Sequence, residues 1–278
     1  MEINKKNEMG MVGVVGGVGP EASNKFCELL IKNTSAKRDQ DNIPFLHFCN
    51  PQIPDRTDFI VGEGESPVDG LINTSRALEA AGADFLVIPC NTAHYFLSEV
   101  QESVSIPIID MTKILVKSVL SRHPPIKKIG LLATTGSIRG EIYQKYFKSV
   151  GVEVILLSDK DQEELVMGSI YGDVGIKAGK KNLPKKKLKR AAEKLIEMGA
   201  EGVVLGCTEI PLVLKQKDFD VRLYDPMDLT AKEIVKYICE DSRKEIVSIR
   251  FVLEDFARSL GRILSGDSDS VDMEVVVE

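Results

Sequence analysis

The chain has little of what would place it in several common classes. Histidine occurs three times, and the five cysteines, at 27, 49, 90, 207 and 239, contain no C-x-x-C pair, so no zinc-ligand spacing can be assembled. An odd, scattered set of cysteines is not a disulfide framework; it fits a reducing compartment and leads us to expect a cytoplasmic protein. The apolar run Met11–Val15, after Lys5 and Lys6, is broken by glycine. It is too short for a signal segment or a membrane span, so no membrane partner is expected. Positive charge is not in excess either. Against 42 Asp and Glu the 36 Lys and Arg leave a net charge of −6, which offers no footprint for nucleic acid. The one basic cluster, Lys177 to Arg190, reads as a loop and a solvated helix face.

What remains is a soluble globular composition over 278 residues, 43% hydrophobic and 28% charged, enough for two compact units. Short apolar runs are expected as strands at Met11–Val15, Phe45–Cys49, Phe85–Cys90, Ile106–Ile109, Lys128–Ala133, Val152–Leu157, Gly202–Cys207 and Arg222–Tyr224. Helical patterns lie between them, near 20–34, 67–81, 93–103, 112–122, 138–149, 160–178, 185–198 and 227–240. Strands apolar at consecutive positions imply sheets covered on both faces, and their alternation with helices implies an α/β fold with parallel sheets.

Two segments read almost as copies: Gly82–Thr92 (GADFLVIPCNT) and Gly199–Glu209 (GAEGVVLGCTE). Their glycines (82 and 199), their cysteines (90 and 207) and an earlier strand glycine pair (13 and 130) all keep one offset of 117 residues. The chain is therefore expected to hold two similar α/β subdomains related by a pseudo-two-fold, with the active site between them. The first half covers 9–112 and the second 113–225, and the helix at 227–240 returns to pack on the first. Asp228 is the expected N-cap of that helix. Beyond it, residues 242–278 form an extension, in which apolar residues from Ile246 to Ile263 at spacings of three and four describe an amphipathic helix. The acidic residues Asp267, Asp269 and Asp272 lack the glycine and final glutamate of a calcium loop, so no metal site is assigned to them.

Cys90 and Cys207 each end an apolar strand and precede small polar residues, at the carboxyl end of a parallel sheet where ligands gather. Cys27, Cys49 and Cys239, set among apolar neighbours, are expected to be buried packing residues. A cysteine titrates close enough to neutrality to act as acid or base. Two thiols on opposite faces of a tetrahedral carbon suit stereoinversion, one removing a proton and the other returning one, with no metal and no cofactor. The glycine-rich segment Gly16–Pro20 departs from the dinucleotide pattern and reads as a tight turn over the cleft, with Pro20 in the first turn of a helix.

Five segments, Gly16–Ala22 (GGVGPEA), Asn50–Arg56 (NPQIPDR), Pro89–His94 (PCNTAH), Leu131–Gly136 (LLATTG) and Gly206–Glu209 (GCTE), together resemble the aspartate/glutamate racemase family, over roughly residues 9 to 240. The resemblance implies that Cys90 and Cys207 are the paired acid/base thiols of a cofactor-independent aspartate racemase, acting on a small acidic amino acid and forming a homodimer. It further implies substrate contacts from Arg56, Asn91, Thr92, Ala93, Thr134, Lys177, Thr208 and Glu209. His94, one turn past Cys90, reads as a helix-start residue. Glu209 stands where glutamate racemases carry histidine, which points to the aspartate branch, and Val18 stands where relatives often have methionine. Racemisation of glutamate or another acidic amino acid is the alternative. Two further alternatives are a non-catalytic protein that binds an acidic metabolite, and a thiol redox protein. The last would need the two cysteines to bring their Cα atoms within about 7 Å.

Overall fold

Runs of consecutive buried residues build two separate parallel sheets. The structure, a computed structural model, describes residues 10–240; the 242–278 extension with its expected helix lies outside the described residues. In the first sheet β1 (Val12–Gly16), β2 (Phe45–Cys49), β3 (Phe85–Val87) and β4 (Ile108–Ile109) lie in the order β2-β1-β3-β4. In the second, β5 (Lys128–Ala133), β6 (Glu153–Ile155), β7 (Gly202–Gly206) and β8 (Arg222–Tyr224) lie in the order β6-β5-β7-β8. All six pairings are parallel and the two orders correspond strand for strand, so the internal repeat seen in sequence is also a repeat of topology. The inner strands β1 and β7 are buried at every position, as strands covered on both faces must be.

The helices start where sequence chemistry lets them. Pro20 opens α1 (Pro20–Asn33), its missing N–H costing nothing at that position. Asp55 caps α2 (Arg56–Val61), Asp110 caps α5 (Met111–Leu120) and Thr134 caps α6 (Thr135–Arg139). Between these lie α3 (Val68–Ala80) and α4 (Leu97–Glu102), the latter entered through a 3₁₀ turn at Thr92–Phe96. The second half adds α7 (Gln144–Ser149), α8 (Asp159–Asp161), a π-helical stretch Gln162–Met167, α9 (Gly168–Ile170) and α10 (Asn182–Glu197). The last element is α11 (Pro226–Glu240).

Two helices are exchanged between the halves. Leu115, Val116 and Val119 of α5, which follows the first sheet, pack into the core around Ile129, Leu131 and Val204 of the second. Met227, Ala231, Ile234 and Ile238 of α11, which follows the second sheet, pack with Val12, Phe26 and Phe85 of the first. Each half thus owes part of its core to the other, which couples their relative placement to folding itself.

Several local expectations change. The helix at Arg56–Val61 was not anticipated, and the expected helix over 160–178 ends at Ile170, because Gly172 (φ 73°) and Gly179 (φ 79°) turn the chain through left-handed conformations. The N-cap of α11 is Asp225, whose Oδ1 accepts from Met227 N at 3.0 Å; Asp228 lies inside the helix and pairs with Lys232 at 2.6 Å. Cys27 is buried as expected, but Cys49 and Cys239 are exposed, since β2 is an edge strand and Cys239 falls in the last turn of α11. No described helix is long and apolar enough to cross a membrane.

Candidate active site

The two repeated segments meet at one pocket between the sheets. The first half contributes Cys90, Asn91 and Thr92, from the turn beyond β3; the second contributes Cys207, Thr208 and Glu209, directly after β7. Thr134, at the end of β5, lies between them, and Arg56, Val18, Tyr171 and Lys177 close the remaining sides. Of the ten residues singled out in sequence, nine line this pocket. Ala93 does not: it is fully buried in the apolar cluster with Ile88 and Phe96, beneath the turn.

The two thiols are almost equally buried, at 6% and 5% exposure, but their electrical surroundings are opposite. The Cys207 thiol donates to Glu209 Oε2 at 2.9 Å, and Thr208 Oγ1 reaches the same oxygen at 3.3 Å. Burial first, and then the adjacent carboxylate, push the Cys207 thiol well above its usual value, so its protonated form is favoured. Cys90 instead has the guanidinium of Arg56 beside it. Burial works against the Arg56 cation, yet Cys90, Asp55 and Tyr171 outweigh it and raise its pKa. Arg56 Nη1 donates to Pro54 O at 3.0 Å, while its Nε is buried with no partner among the described residues.

Polar groups without partners face the same space. Neither the Oδ1 nor the Nδ2 of Asn91 has a partner among the described residues, although the residue is 1% exposed. Buried amides are normally satisfied, so both atoms are available to a ligand. Thr92 Oγ1 lies 3.1 Å from Thr134 Oγ1 and 2.9 Å from Ser137 Oγ, a hydroxyl cluster joining the halves. Opposite, Gly19 comes so close to Glu209 that a Cβ there would collide with Oε1.

The mouth is closed by the segment 171–181. Lys177 Nζ pairs with Asp55 Oδ2 at 3.1 Å and lies 4.2 Å from the centre of the Tyr171 ring. The Tyr171 hydroxyl reaches Asp55 and Thr57, each at 3.3 Å. Burial disfavours the Lys177 ammonium, but Tyr171, Glu209 and Asp55 overcome it and raise its pKa. The space left inside is about 10 Å³, room for about one water.

Sequence reasoning missed Tyr171 and Asp55, and placed Val18 only within a turn over the cleft. Asp55 carried a readable signal, an aspartate after proline at a helix start; Tyr171 carried none.

Comparison with known proteins finds relatives over most of the chain. The family described as Asp/Glu/Hydantoin racemase matches residues 15–234. The broad specificity amino-acid racemase RacX of Bacillus subtilis is 27% identical over 229 residues, covering 81% of this chain and 96% of that protein. A glutamate racemase of Aquifex aeolicus is 28% identical over 67% of this chain and 70% of its own. Among solved structures, the aspartate racemase of Picrophilus torridus superposes with a TM-score of 0.70 at 27% identity, covering 84% of this chain and 98% of that one.

Proposed function

Because this chain belongs to the Asp/Glu/hydantoin racemase family, we propose that it interconverts L- and D-aspartate by two-base proton transfer between Cys90 and Cys207, without a cofactor. The observation that carries this reading is the pair of thiols, one from each half, lining one pocket with a cation beside the first and a carboxylate on the second. In this reading Cys207, whose thiol donates to Glu209, is the group that delivers a proton, and Cys90, next to Arg56, is the base. It removes the α-proton from one face; Cys207 returns a proton to the other. The product leaves with the protonation pattern reversed, ready for the opposite enantiomer. Charge that develops on the α-carboxylate is met by hydroxyl and main-chain donors around Thr92, Thr134 and Thr208.

Arg56 and Lys177 supply two cations for a side-chain carboxylate. Such a pocket separates aspartate from glutamate weakly, because one methylene is worth about 1–3 kcal/mol. A broader range is the second reading: Lys177 is already paired with Asp55, which lowers the charge available to an acidic side chain. The similarity to RacX, described as having broad specificity, favours the same reading.

The test is incubation of the reduced protein with L-aspartate, L-glutamate and a neutral amino acid in D₂O. Deuterium at Cα is followed by NMR and enantiomers by chiral chromatography. Deuterated D-aspartate formed fastest supports the first reading, comparable rates on all three support the second, and exchange on none excludes both.

A further inference from the structure

Cys90 sits on irregular backbone, and one side chain outside the pocket lining holds it there. β3 ends at Val87, and the Cys90 N–H is turned back onto Ile88 O at 2.7 Å. The 3₁₀ turn that follows uses Asn91 O to accept from His94 N, at 3.0 Å, which leaves the Cys90 carbonyl outside its ladder. That carbonyl lies 2.9 Å from Nδ1 of His94, and Nε2 of the same ring lies 3.1 Å from the backbone N of Met111. Met111 N is a donor, so Nε2 must accept and Nδ1 must carry the proton that is given to Cys90 O. One neutral tautomer satisfies both bonds.

The second bond matters because of where it leads. Met111 opens α5, whose next two N–H groups are taken by Asp110 Oδ1 at 2.9 and 3.2 Å. His94 therefore completes the cap of the helix that enters the core of the second half. Through one ring, the backbone of Cys90 is tied to the element that fixes the half carrying Cys207. Cys207 has no such arrangement: its carbonyl accepts from Ile210 N at 3.0 Å, within its own turn, and the residue that matches His94 in the repeat is Pro211 (94 and 211, again 117 apart).

We propose that His94 is a positioning residue for the Cys90 thiol, an inference that rests on reading Cys90 as one of the two proton-transfer groups. It acts through the main chain and touches no reacting atom. A helix-start role alone would cost stability; a positioning role also changes how one thiol reacts and leaves the other as it was.

The experiment compares wild type with His94→Leu, His94→Asn and His94→Gln. It uses steady-state kinetics with L-aspartate, thermal denaturation, and carbamidomethylation rates of Cys90 and Cys207 by iodoacetamide, read by peptide mass spectrometry. His94→Leu is expected to lower kcat at least about tenfold with KM changed less than about threefold, since small misplacements of a reacting group cost rate more than affinity. Cys90 alkylation should change about fivefold or more while Cys207 stays within about twofold, since only one thiol depends on the ring. His94→Gln, with a donor and an acceptor at similar spacing, should recover most of the loss. Should His94→Leu not fold, His94→Asn, which keeps a donor for Cys90 O and loses Met111, serves the same comparison. Equal changes at both thiols, or an unchanged kcat, would overturn the proposal. The alkylation measurement needs no turnover. If wild type racemises none of the amino acids tested, the proposed function fails and the placement of Cys90 is still judged.

Discussion

The Lys177 ammonium and the Asp55 carboxylate meet at 3.1 Å across the mouth of the pocket, joining residues 122 apart in sequence. Asp55 serves two structures at once, since its Oδ1 also accepts from Thr57 N at 2.8 Å as the N-cap of α2. The helix that begins with Arg56 and the segment that carries Lys177 are thus fixed by one carboxylate. A second tie, Lys181 to Glu21 at 2.6 Å, lies further along the same segment.

This double use separates two variants. Asp55→Ala loses both cap and ion pair, and the missing cap is expected to lower stability by about 1 kcal/mol. Asp55→Asn keeps a capping oxygen and loses only the charge. If the ion pair holds Lys177 and its segment over bound substrate, both raise KM for L-aspartate about fivefold, the equivalent of about 1 kcal/mol for a partly exposed pair. An unchanged KM in both would show that closure does not depend on Asp55.

Each thiol is expected to be indispensable for inversion. Cys90→Ser and Cys207→Ser should each reduce racemisation at least about 100-fold, the range for loss of a positioned acid or base. Circular dichroism should remain unchanged. Exchange of the α-proton into D₂O from one enantiomer can survive in each variant, and from opposite enantiomers in the two. Full racemisation by Cys207→Ser would sink the two-base mechanism.

Glu209→Gln removes the second cause that raises the Cys207 thiol and leaves the first, burial. The titration of Cys207 should therefore move down only part of the way. The measurement is the pH dependence of Cys207 alkylation, whose midpoint should fall. No movement would mean that the carboxylate does not govern this thiol.

Gly19→Ala tests the same contact from the other half. Gly19 has φ −76°, which alanine adopts without strain, so the expected effect comes from the collision of Cβ with Glu209 Oε1. A carboxylate end can rotate aside, and stability should drop by no more than about 1 kcal/mol. Racemisation should be slower than in wild type, and the Cys207 midpoint should shift in the same direction as in Glu209→Gln. A variant with wild-type kinetics would show that Glu209 has room to spare.

Asp225 makes stability depend on pH. Burial, outweighing its cap bond to Met227 N, raises this carboxyl from 3.8 to about 6. Between those values the folded protein binds the proton that the unfolded chain has released, so stability is greatest below about pH 4 with respect to this group and declines as pH rises through 6. Asp225→Asn keeps an oxygen for the cap and carries no charge. Its Tm should exceed that of wild type above pH 6, by no more than the equivalent of about 3 kcal/mol, and the difference should close towards pH 4. A constant difference across that range would remove Asp225 as the titrating group.

The duplicated strands, the α/β class and the repeated cysteine beyond each of two strands were legible in the chain itself, because burial on both faces and repeated spacing leave a linear trace; Cys207 directly follows its strand, whereas β3 stops at Val87, short of Cys90. Lys128–Ala133 and Phe45–Cys49 fall as strands where their apolar runs lie. Arg56 and Lys177 were legible only through resemblance to a family, since an arginine in a loop and one lysine among many carry no pattern of their own.

What only tertiary structure decided are contacts between residues far apart in sequence. Spacing could not tell that Ala93 packs inward while Asn91 and Thr92 face the pocket, because a 3₁₀ turn replaces the expected helix there. Nor could it pair Asp55 with Lys177, set Gly19 against Glu209, or send the His94 ring to both Cys90 and Met111. Periodicity along a chain reports which face of an element is buried. Distances across a cleft depend on how two separately formed sheets are docked, and here the exchange of α5 and α11 between the halves sets that docking.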